Sequence, residues 1–355
     1  MNPQVLLFEK YLKENQLHYS LRTSDSKGWD NFYSQLKFQP VEFSNLMRSY
    51  YFEYYTNLSR NMIDLSIIIY STDKKPIAIW TLDLIEEENE FILTSNGSRI
   101  APPIFSNTIL IQEKRKISKK CIKTLQSFAA ALEISKLKLD LNIVSECSGY
   151  NLNPWSTEVL KSGALVELET TLLVDLALDL PEIKSMLRKS YKSLINRGYQ
   201  IWDISVIDNS EFDESIWQEF RQLHYVSAGN RSTRAPITWD IQAQQIINDA
   251  AVLVVARNQE GALVGAAFCS YTRDEAIYAS AAYDRSLFHL PVGHSIQWEA
   301  IKYLKEKNIL YYRLGRFCRN NGSDKFSTKE ISISKFKEGF ATDMRSILIA
   351  NIKVQ

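Results

Sequence analysis

The chain has 355 residues, of which 45% are hydrophobic and 23% are charged, and its formal net charge is +1 at pH 7. This length and composition predict two globular domains with a core each. The near-neutral charge argues against a strongly basic surface for nucleic acid or an anionic membrane, so we expect neither as a partner.

The rest of the composition indicates the compartment. Four scattered cysteines (Cys121, Cys147, Cys269 and Cys318) show no metal-ligand spacing, so we expect no metal, no disulfide framework and a reducing environment. The first apolar stretch ends at Glu9 and Lys10, which is unlike a signal peptide. No uncharged run approaches the ~20 residues of a membrane span. The expected localisation is cytoplasmic.

The first half of the chain predicts alternating helices and strands. After a short helix and an irregular lead-in, residues 41–61 form an aromatic-rich helix, typical of core packing, although a stacking platform for a ring stays open. Next come strands over 63–70, 76–84 and 90–94, a loop with two prolines, a helix over 118–134, and strands over 137–144 and 159–176.

The second half repeats this order. A basic helix over 181–196, whose charges suit either solvent or a ligand, precedes helices over 216–228 and 239–250 and strands over 252–257, 263–271, 276–283 and 310–314. Ile63 and Val252, and likewise Pro102 and Pro291, occupy matching points at similar offsets. We therefore predict an architectural repeat of two domains, residues 1–177 and 178–355.

The most informative stretch is 275–308, which predicts a strand, a loop with Pro291 and Gly293, and an amphipathic helix. Backbone N–H groups of this loop, together with the positive end of the helix, suit a pyrophosphate. The alternative is an ordinary strand-to-helix turn capped by His294 or Ser295. Sequence alone leaves both interpretations open.

Strand–turn–strand–strand, a glycine-bearing loop and a long helix resemble the core of GNAT acyltransferases. The segments concerned are AVLVVARNQEGALVGAAFCSYT, AIYASAAYDRS, LPVGHSIQWEAIKYL and SKFKEGFATDM. The doubled layout resembles the tandem-GNAT group, which includes the Fem peptidoglycan transferases and certain sugar N-acyltransferases. The resemblance implies an α/β (α+β) fold of two tandem GNAT-like domains, each a mixed, mostly antiparallel central sheet flanked by helices.

Within that group, HYVSAGNRSTRAPITWDIQ and ISKFKEGFATDM are similar to runs in nucleotide-linked amino-dideoxysugar N-acyltransferases, such as those acting on dTDP-3-amino-3,6-dideoxyhexoses. This implies an N-acyltransferase of surface polysaccharide (lipopolysaccharide) biosynthesis, with acyl-CoA as donor and a nucleotide-linked amino sugar as acceptor. Coenzyme A would bind the second domain. The first would be degenerate, because two prolines in RIAPPIF remove amide donors.

Two alternatives stay open. One is a Fem-like, aminoacyl-tRNA-dependent peptidoglycan transferase, although the long charged helical hairpin common in those enzymes is missing from the sequence. The other is a non-catalytic protein that binds a nucleotide sugar.

The resemblance also implies site residues. The strand that pairs with the pantetheine arm would include Ala281, Ala282 and Tyr283. The diphosphate loop would comprise Pro291, Val292, Gly293, His294 and Ser295. For each set the alternative is structural: a tightly packed central strand and an ordinary turn.

Acyl transfer to an amine needs a base for the acceptor, donors for the developing oxyanion and a proton for the thiolate. Candidate bases are Asp284, His294 and His224, and each has a structural alternative: a turn aspartate, a helix cap and a core histidine. The thiolate's acid is left open among Tyr278, Tyr283 and Tyr311.

Residues for the acceptor come from three segments. Arg231 and Arg234 offer guanidinium groups for phosphate and Trp239 a face for a base or sugar. Arg316 and Lys337 are further candidates to neutralise a diphosphate. A polar segment, 319–329, predicts a lid over the acceptor.

Overall fold

The computed structural model describes residues 2–58, 61–88, 90–143, 152–231, 234–319 and 326–354. The chain forms two compact units, Met1–Glu169 with Ser346–Gln355, and Thr170–Arg345. The last strand of the chain therefore contributes to the first unit. The division of function between residues 1–177 and 178–355 stays a prediction.

The first unit combines helices with three sets of antiparallel strands. The elements are α1 (Pro3–Glu14), β1 (His18–Leu21), α2 (Ser26–Ser34), α3 (Asn45–Thr56), β2 (Asn61–Asp64), β3 (Ile67–Tyr70), β4 (Pro76–Trp80), β5 (Asp83–Glu87), β6 (Glu90–Thr94), β7 (Ile104–Phe105), α4 (Ile111–Ala131), β8 (Lys136–Asp140), α5 (Pro154–Lys161) and most of the last strand of the chain, β15 (Asp343–Lys353). The strand orders are β1-β3-β4-β7 and β2-β5-β6, and β8 pairs with β15.

A buried arginine explains why two predicted strands are each broken in two. Arg48, only 1% exposed, donates from Nη2 to Asp64 Oδ1 and Ser66 Oγ, both at 2.9 Å, and contacts the carboxylate of Asp83. Asp64 ends β2 and Asp83 begins β5, so each chain segment turns where its side chain meets the guanidinium. Removing two carboxylates and a guanidinium from water requires such pairing.

The second unit has one mixed sheet, with strand order β10-β11-β12-β13-β14-β9. β13 and β14 are parallel, and the other neighbours are antiparallel. The elements are β9 (Leu165–Asp175), α6 (Leu180–Met186), α7 (Lys189–Ile201), β10 (Asp203–Ile207), α8 (Glu214–Ser227), α9 (Pro236–Ile247), β11 (Ala251–Arg257), β12 (Leu263–Tyr271), β13 (Glu275–Tyr283), α10 (Val292–Glu306), β14 (Tyr311–Arg316) and α11 (Thr328–Glu338). The predicted mixed, mostly antiparallel sheet with flanking helices is confirmed.

Alternating side chains give this sheet two apolar faces. Val252 and Val254 of β11 pack with α7 and α10, whereas Leu253 and Val255 pack with α8 and α9. Successive side chains of a strand point to opposite faces of the sheet. Because both faces of β11 are buried, its sequence is apolar without interruption.

Two further observations concern the described part of the chain. No helix there combines the length and the apolar character needed to cross a membrane. No group of three or more His, Cys, Asp or Glu side chains is arranged there to hold a metal ion. Cys121, Cys269 and Cys318 are buried, and Cys147 lies outside the described residues.

Candidate active site

β13 and β14 separate halfway along the sheet of the second unit. They pair only from Glu275 to Ile277 on β13, opposite Tyr311 to Arg313 on β14. Beyond this point β13 pairs with β12 alone, and Ala279 bulges out of that ladder between Tyr278 and Ser280. One edge of β13 is therefore unpaired from Tyr278 onward within the described residues. Such an edge can form main-chain hydrogen bonds with an extended ligand.

The side chain of Lys337, from α11, lies where the two strands part. Its Nζ is 5.1 Å from the centre of the Tyr278 ring on β13. On β14, a Cβ built on Gly315 would be 3.0 Å from the same nitrogen. Gly315 has φ +117°, a conformation in which a side chain is strained as well as obstructed. Glycine at this position therefore makes room for the amine of Lys337.

Burial lowers the pKa of Lys337 to about 8 from its ordinary value of 10.5. No carboxylate of the described residues forms an ion pair with it. At neutral pH the group is mainly an ammonium, because pH 7 lies below this pKa. It is placed to donate a hydrogen bond to a polar group that enters between the strands.

The predicted diphosphate loop leads into the N-terminus of α10. Pro291 is the N-cap residue, and no side chain caps the helix. The amide of His294 donates to Pro291 O at 3.2 Å, whereas the amides of Val292 and Gly293 have no acceptor among the described residues. The Val292 and Ser295 side chains are buried, so these residues can offer an anion only their backbone.

A side chain from α11 lies over Gly293. Its φ is not positive, and a Cβ built on it would be 3.2 Å from Cζ of Phe336. The ring of Phe336, from α11, therefore covers the glycine and leaves less room for a phosphate there. Its role in binding coenzyme A stays a prediction.

His294 belongs to an aromatic cluster rather than to a cap. Its ring centre lies 4.5 Å from that of Tyr191 and 5.3 Å from that of Phe336. Burial, followed by the charge of Arg188, lowers the pKa of His294 to about 4, so the imidazole is neutral at pH 7. Its Nδ1 is buried without a hydrogen-bond partner in the described structure.

The three tyrosines considered as acids divide into two groups. The hydroxyls of Tyr278 and Tyr283 form a hydrogen bond of 3.0 Å beneath α10. Burial raises the pKa of Tyr278 to about 12. Tyr311 lies at the paired end of β14, with Arg345 4.2 Å above its ring. Only the first two adjoin the strand gap. Neither is ionised at neutral pH.

Ala281 and Ala282 lie within β13, and Asp284 follows that strand directly. Asp284 accepts hydrogen bonds from the amide and hydroxyl of Ser286, at 2.9 and 2.7 Å, as a turn aspartate does. Ala282 faces α8 and α9, whereas Ala281 faces α10. Asp284 and Tyr283 also line a cavity of 510 Å³ beside α8.

A second cavity, of 310 Å³, lies between α8 and the segment that leads into α9. We call it the arginine cavity, because Arg221, Arg231 and Arg234 line it together with His224 and Trp239. The predicted acceptor residues Arg231, Arg234 and Trp239 are thus brought together. Trp239 is 4% exposed and is covered by Arg234, 5.0 Å above the ring, so little of its face is available for stacking.

His224 forms part of this wall. The centre of its ring lies 5.2 Å from that of Trp239. Burial, followed by the charge of Arg234, lowers the pKa of His224 to about 4. Arg316 lies apart, at the end of β14, with its guanidinium 4.8 Å from the ring of Phe326. Of the predicted lid, residues 320–325 lie outside the described residues.

Sequence reasoning missed several residues of the site. Phe336 and Phe340 are four apart on a segment that contacts α10, a spacing typical of one helical face. Arg221 is also three residues before His224 on α8. Both signals are present in the sequence, but helical spacing alone does not tell what faces them.

The comparisons with known proteins agree with this geometry. Residues 184–326 match the family profile of the acetyltransferase (GNAT) domain. No curated protein sequence matches the chain significantly.

Three solved structures share the fold over nearly the whole chain. FemX has a TM-score of 0.61 and 11% identity, covering 91% of this chain and 95% of its own. The C-terminal domain of a protein designated a lysylphosphatidylglycerol synthetase, from Agrobacterium fabrum, has a TM-score of 0.60 and 14% identity, covering 94% and 92%. A tandem GNAT protein from the clavulanic acid biosynthesis pathway has a TM-score of 0.51 and 11% identity, covering 96% and 99%.

At these identities the structural likeness establishes the fold, and the family profile covers residues 184–326 of the unit that contains the divided strands. The predicted GNAT-type fold and enzyme class are both supported. The chain has the fold of tandem GNAT proteins with a GNAT domain at residues 184–326, and the protein is an N-acyltransferase.

Proposed function

We propose that the protein transfers an acyl group from acyl-CoA to the amino group of a nucleotide-linked amino-dideoxysugar, such as a dTDP-3-amino-3,6-dideoxyhexose. The observation that carries the proposal is the gap between β13 and β14 with the Lys337 amine inside it. A thioester carbonyl in this gap would lie between a cation and an unpaired strand edge. Both are donors of the kind that stabilise an oxyanion.

In the proposed step the neutral amine of the sugar attacks the thioester carbonyl. A C–N bond forms, the C–S bond breaks, the acceptor nitrogen loses a proton and the thiolate gains one. Lys337 holds the negative charge on the oxygen, and backbone amides of β13, from Tyr278 to Tyr283, orient the donor. Asp284, His294 and His224 stay the proposed candidates for the proton transfer.

His294 is favoured among the three by its position, because His224, whose pKa is also about 4, lies in the wall of the arginine cavity. A neutral imidazole at pH 7 can accept a proton, and its buried Nδ1 has no partner in the described structure. It also contacts Phe336, the residue before Lys337. The pKa of about 4 makes it a weak base, so its contribution is expected to be modest.

A second candidate is transfer from an aminoacyl ester, as in aminoacyl-tRNA. The specific observation in its favour is Phe336, which covers Gly293 where the diphosphate of coenzyme A would need access. The structural likeness to FemX and to a lysylphosphatidylglycerol synthetase is consistent with this donor class. Lys337 and the strand gap would serve the same chemistry.

One experiment separates the two donors. The purified protein is incubated with pooled acyl-CoAs and pooled amino-sugar nucleotides, and the products are analysed by mass spectrometry. We expect an acylated sugar nucleotide and release of coenzyme A. Product formation only from aminoacyl-tRNA would replace the donor, whereas binding of the sugar nucleotide without turnover of any donor would favour a binding protein.

Phe336 provides a direct test of the diphosphate loop. Replacing it with alanine exposes Gly293 and its amide, so we expect Phe336→Ala to bind coenzyme A several-fold more tightly by calorimetry. The matched control is Phe340→Ala, which opens the same aromatic cluster away from Gly293. Equal affinities in the wild type and in Phe336→Ala would place the diphosphate elsewhere.

A further inference from the structure

We propose that the arginine cavity binds the diphosphate of the acceptor, with Arg221 as its principal anchor. This inference rests on the proposed function, since it locates the nucleotide of the proposed acceptor. It adds Arg221, Gln218 and Tyr225 to the residues expected from the sequence.

The first argument is charge. Three guanidinium groups line one cavity of 310 Å³, and no carboxylate is among its lining residues. Arg221 forms no ion pair with any carboxylate of the described residues. Cations held this close repel one another, and a bound anion would relieve that repulsion.

The acidic residues of α8 are directed elsewhere. Glu219 pairs with Arg257 at 2.7 Å, on the side of the helix that faces the larger cavity. Glu214 accepts a hydrogen bond from Gln218 Nε2 at 2.6 Å. Neither carboxylate lines the arginine cavity, so the charged residues of its lining are all arginines.

The second argument is orientation. Arg234 donates from Nη1 to Gln242 Oε1 at 2.9 Å and lies over the ring of Trp239. Gln242 is neutral and 2% exposed, so it positions the guanidinium without cancelling its charge. Guanidinium groups are well suited to phosphate, because their planar donors match its oxygens.

The third argument concerns what lies around the anion. Tyr225 contributes a ring that is 39% exposed, a surface on which a nucleobase can stack. A cavity of this volume admits a nucleotide rather than a helical stem of RNA. Gln222 lines both this cavity and the larger one, which reaches Tyr283 and Asp284 at the end of β13. An acceptor held by its phosphates can therefore extend along α8 towards the strand gap.

The test uses dTDP alone, without sugar or acyl donor. We expect it to bind the full-length protein by calorimetry, with affinity lowered about 10- to 100-fold by Arg221→Gln, the loss typical of one charge-assisted hydrogen bond. The matched control is Arg115→Gln on an exposed turn of α4. A bound anion should also raise the pKa of His224, which NMR can follow because the chain has only four histidines.

Unchanged dTDP affinity in Arg221→Gln would overturn the inference, as would an RNA oligonucleotide that binds this cavity more tightly than dTDP does. The acyl-transfer assay is separate. Transfer from acyl-CoA to a simple amine with no dTDP binding leaves the proposed donor chemistry intact and removes the cavity's role. If dTDP binding depends on Arg221 but no acyl-CoA is used, the cavity's role is supported and the proposed donor chemistry is removed.

Discussion

Lys337→Met is expected to lower the rate of acyl transfer by about 100- to 1,000-fold, the loss typical of one oxyanion-hole donor. The reason is the position of Nζ, 5.1 Å from the Tyr278 ring at the point where β13 leaves β14. Methionine keeps most of the side-chain volume and removes the donor. The measurement is steady-state release of free thiol, with the effect expected in kcat more than in KM.

The pH profile adds a readout that a structural role would not change. With a pKa of about 8, Lys337 is an ammonium below that pH and a neutral amine above it. Its contribution to the rate should therefore fall as the pH rises through about 8. Lys337→Arg keeps a charge throughout this range, so its profile should lack that descending limb. A limb that persists in Lys337→Arg would assign the titration to another group.

Lys337→Met should also stabilise the protein. In the unfolded chain Lys337 has its ordinary pKa of 10.5, and in the folded protein about 8. At pH 7 both states are protonated, and burial of the ammonium costs about 3 kcal/mol, a penalty that disappears as the pH rises from about 8 to 10.5. Lys337→Met should thus raise the free energy of unfolding at pH 7, with the difference from wild type narrowing at high pH.

Arg48→Met is expected to destabilise the first unit by about 3–5 kcal/mol, as removal of one partner from a buried ion pair does. The variant leaves Asp83 buried without the guanidinium that it contacts, and Asp64 with Arg22 as its remaining guanidinium partner. Urea unfolding of the full chain measures the loss. Arg115→Met, at an exposed position of α4, is the control and should change stability by less than about 0.5 kcal/mol.

Protonation of Asp64 at low pH should reproduce part of this loss of stability. Burial alone would raise the pKa of Asp64, but the charges of Arg48 and Arg22 hold it at about 2, below the ordinary value of 3.8. The stabilisation is complete above the ordinary value and is lost as the pH falls from about 3.8 to 2. In Arg48→Met this loss should be smaller, and an unchanged acid limb would show that Asp64 is not the group that titrates.

The sequence predicted the sheet of the second unit because β11, β12 and β13 have long apolar runs with a period of two. It did not predict the breaks between β2 and β3 at Leu65 and between β4 and β5 at Thr81. These breaks depend on contacts with Arg48, which lies on helix α3. The sequence also indicated Lys337 as a site residue, but it did not predict which residues surround its amine. That environment is formed by Gly315 and Tyr278, which are distant in sequence.

Gly293 illustrates the same limit. A glycine between a strand and a helix is typical of a phosphate loop, and the helix does begin there. The ring that covers it comes from Phe336, and no local pattern around residue 293 indicates that contact. Arg221 likewise has an ordinary helical context, and only the tertiary structure brings it beside Arg231 and Arg234.

The pairing of β8 with β15 has a consequence for how the protein is made. Residues 136–140 remain without their partner strand until residues 349–353 have left the ribosome, which occurs after the whole GNAT domain has been synthesised. During that interval Leu137 and Leu139 lack the cover that Ala350 and Ile352 provide. The nascent first unit is therefore expected to need protection from aggregation until residues 349–353 have emerged.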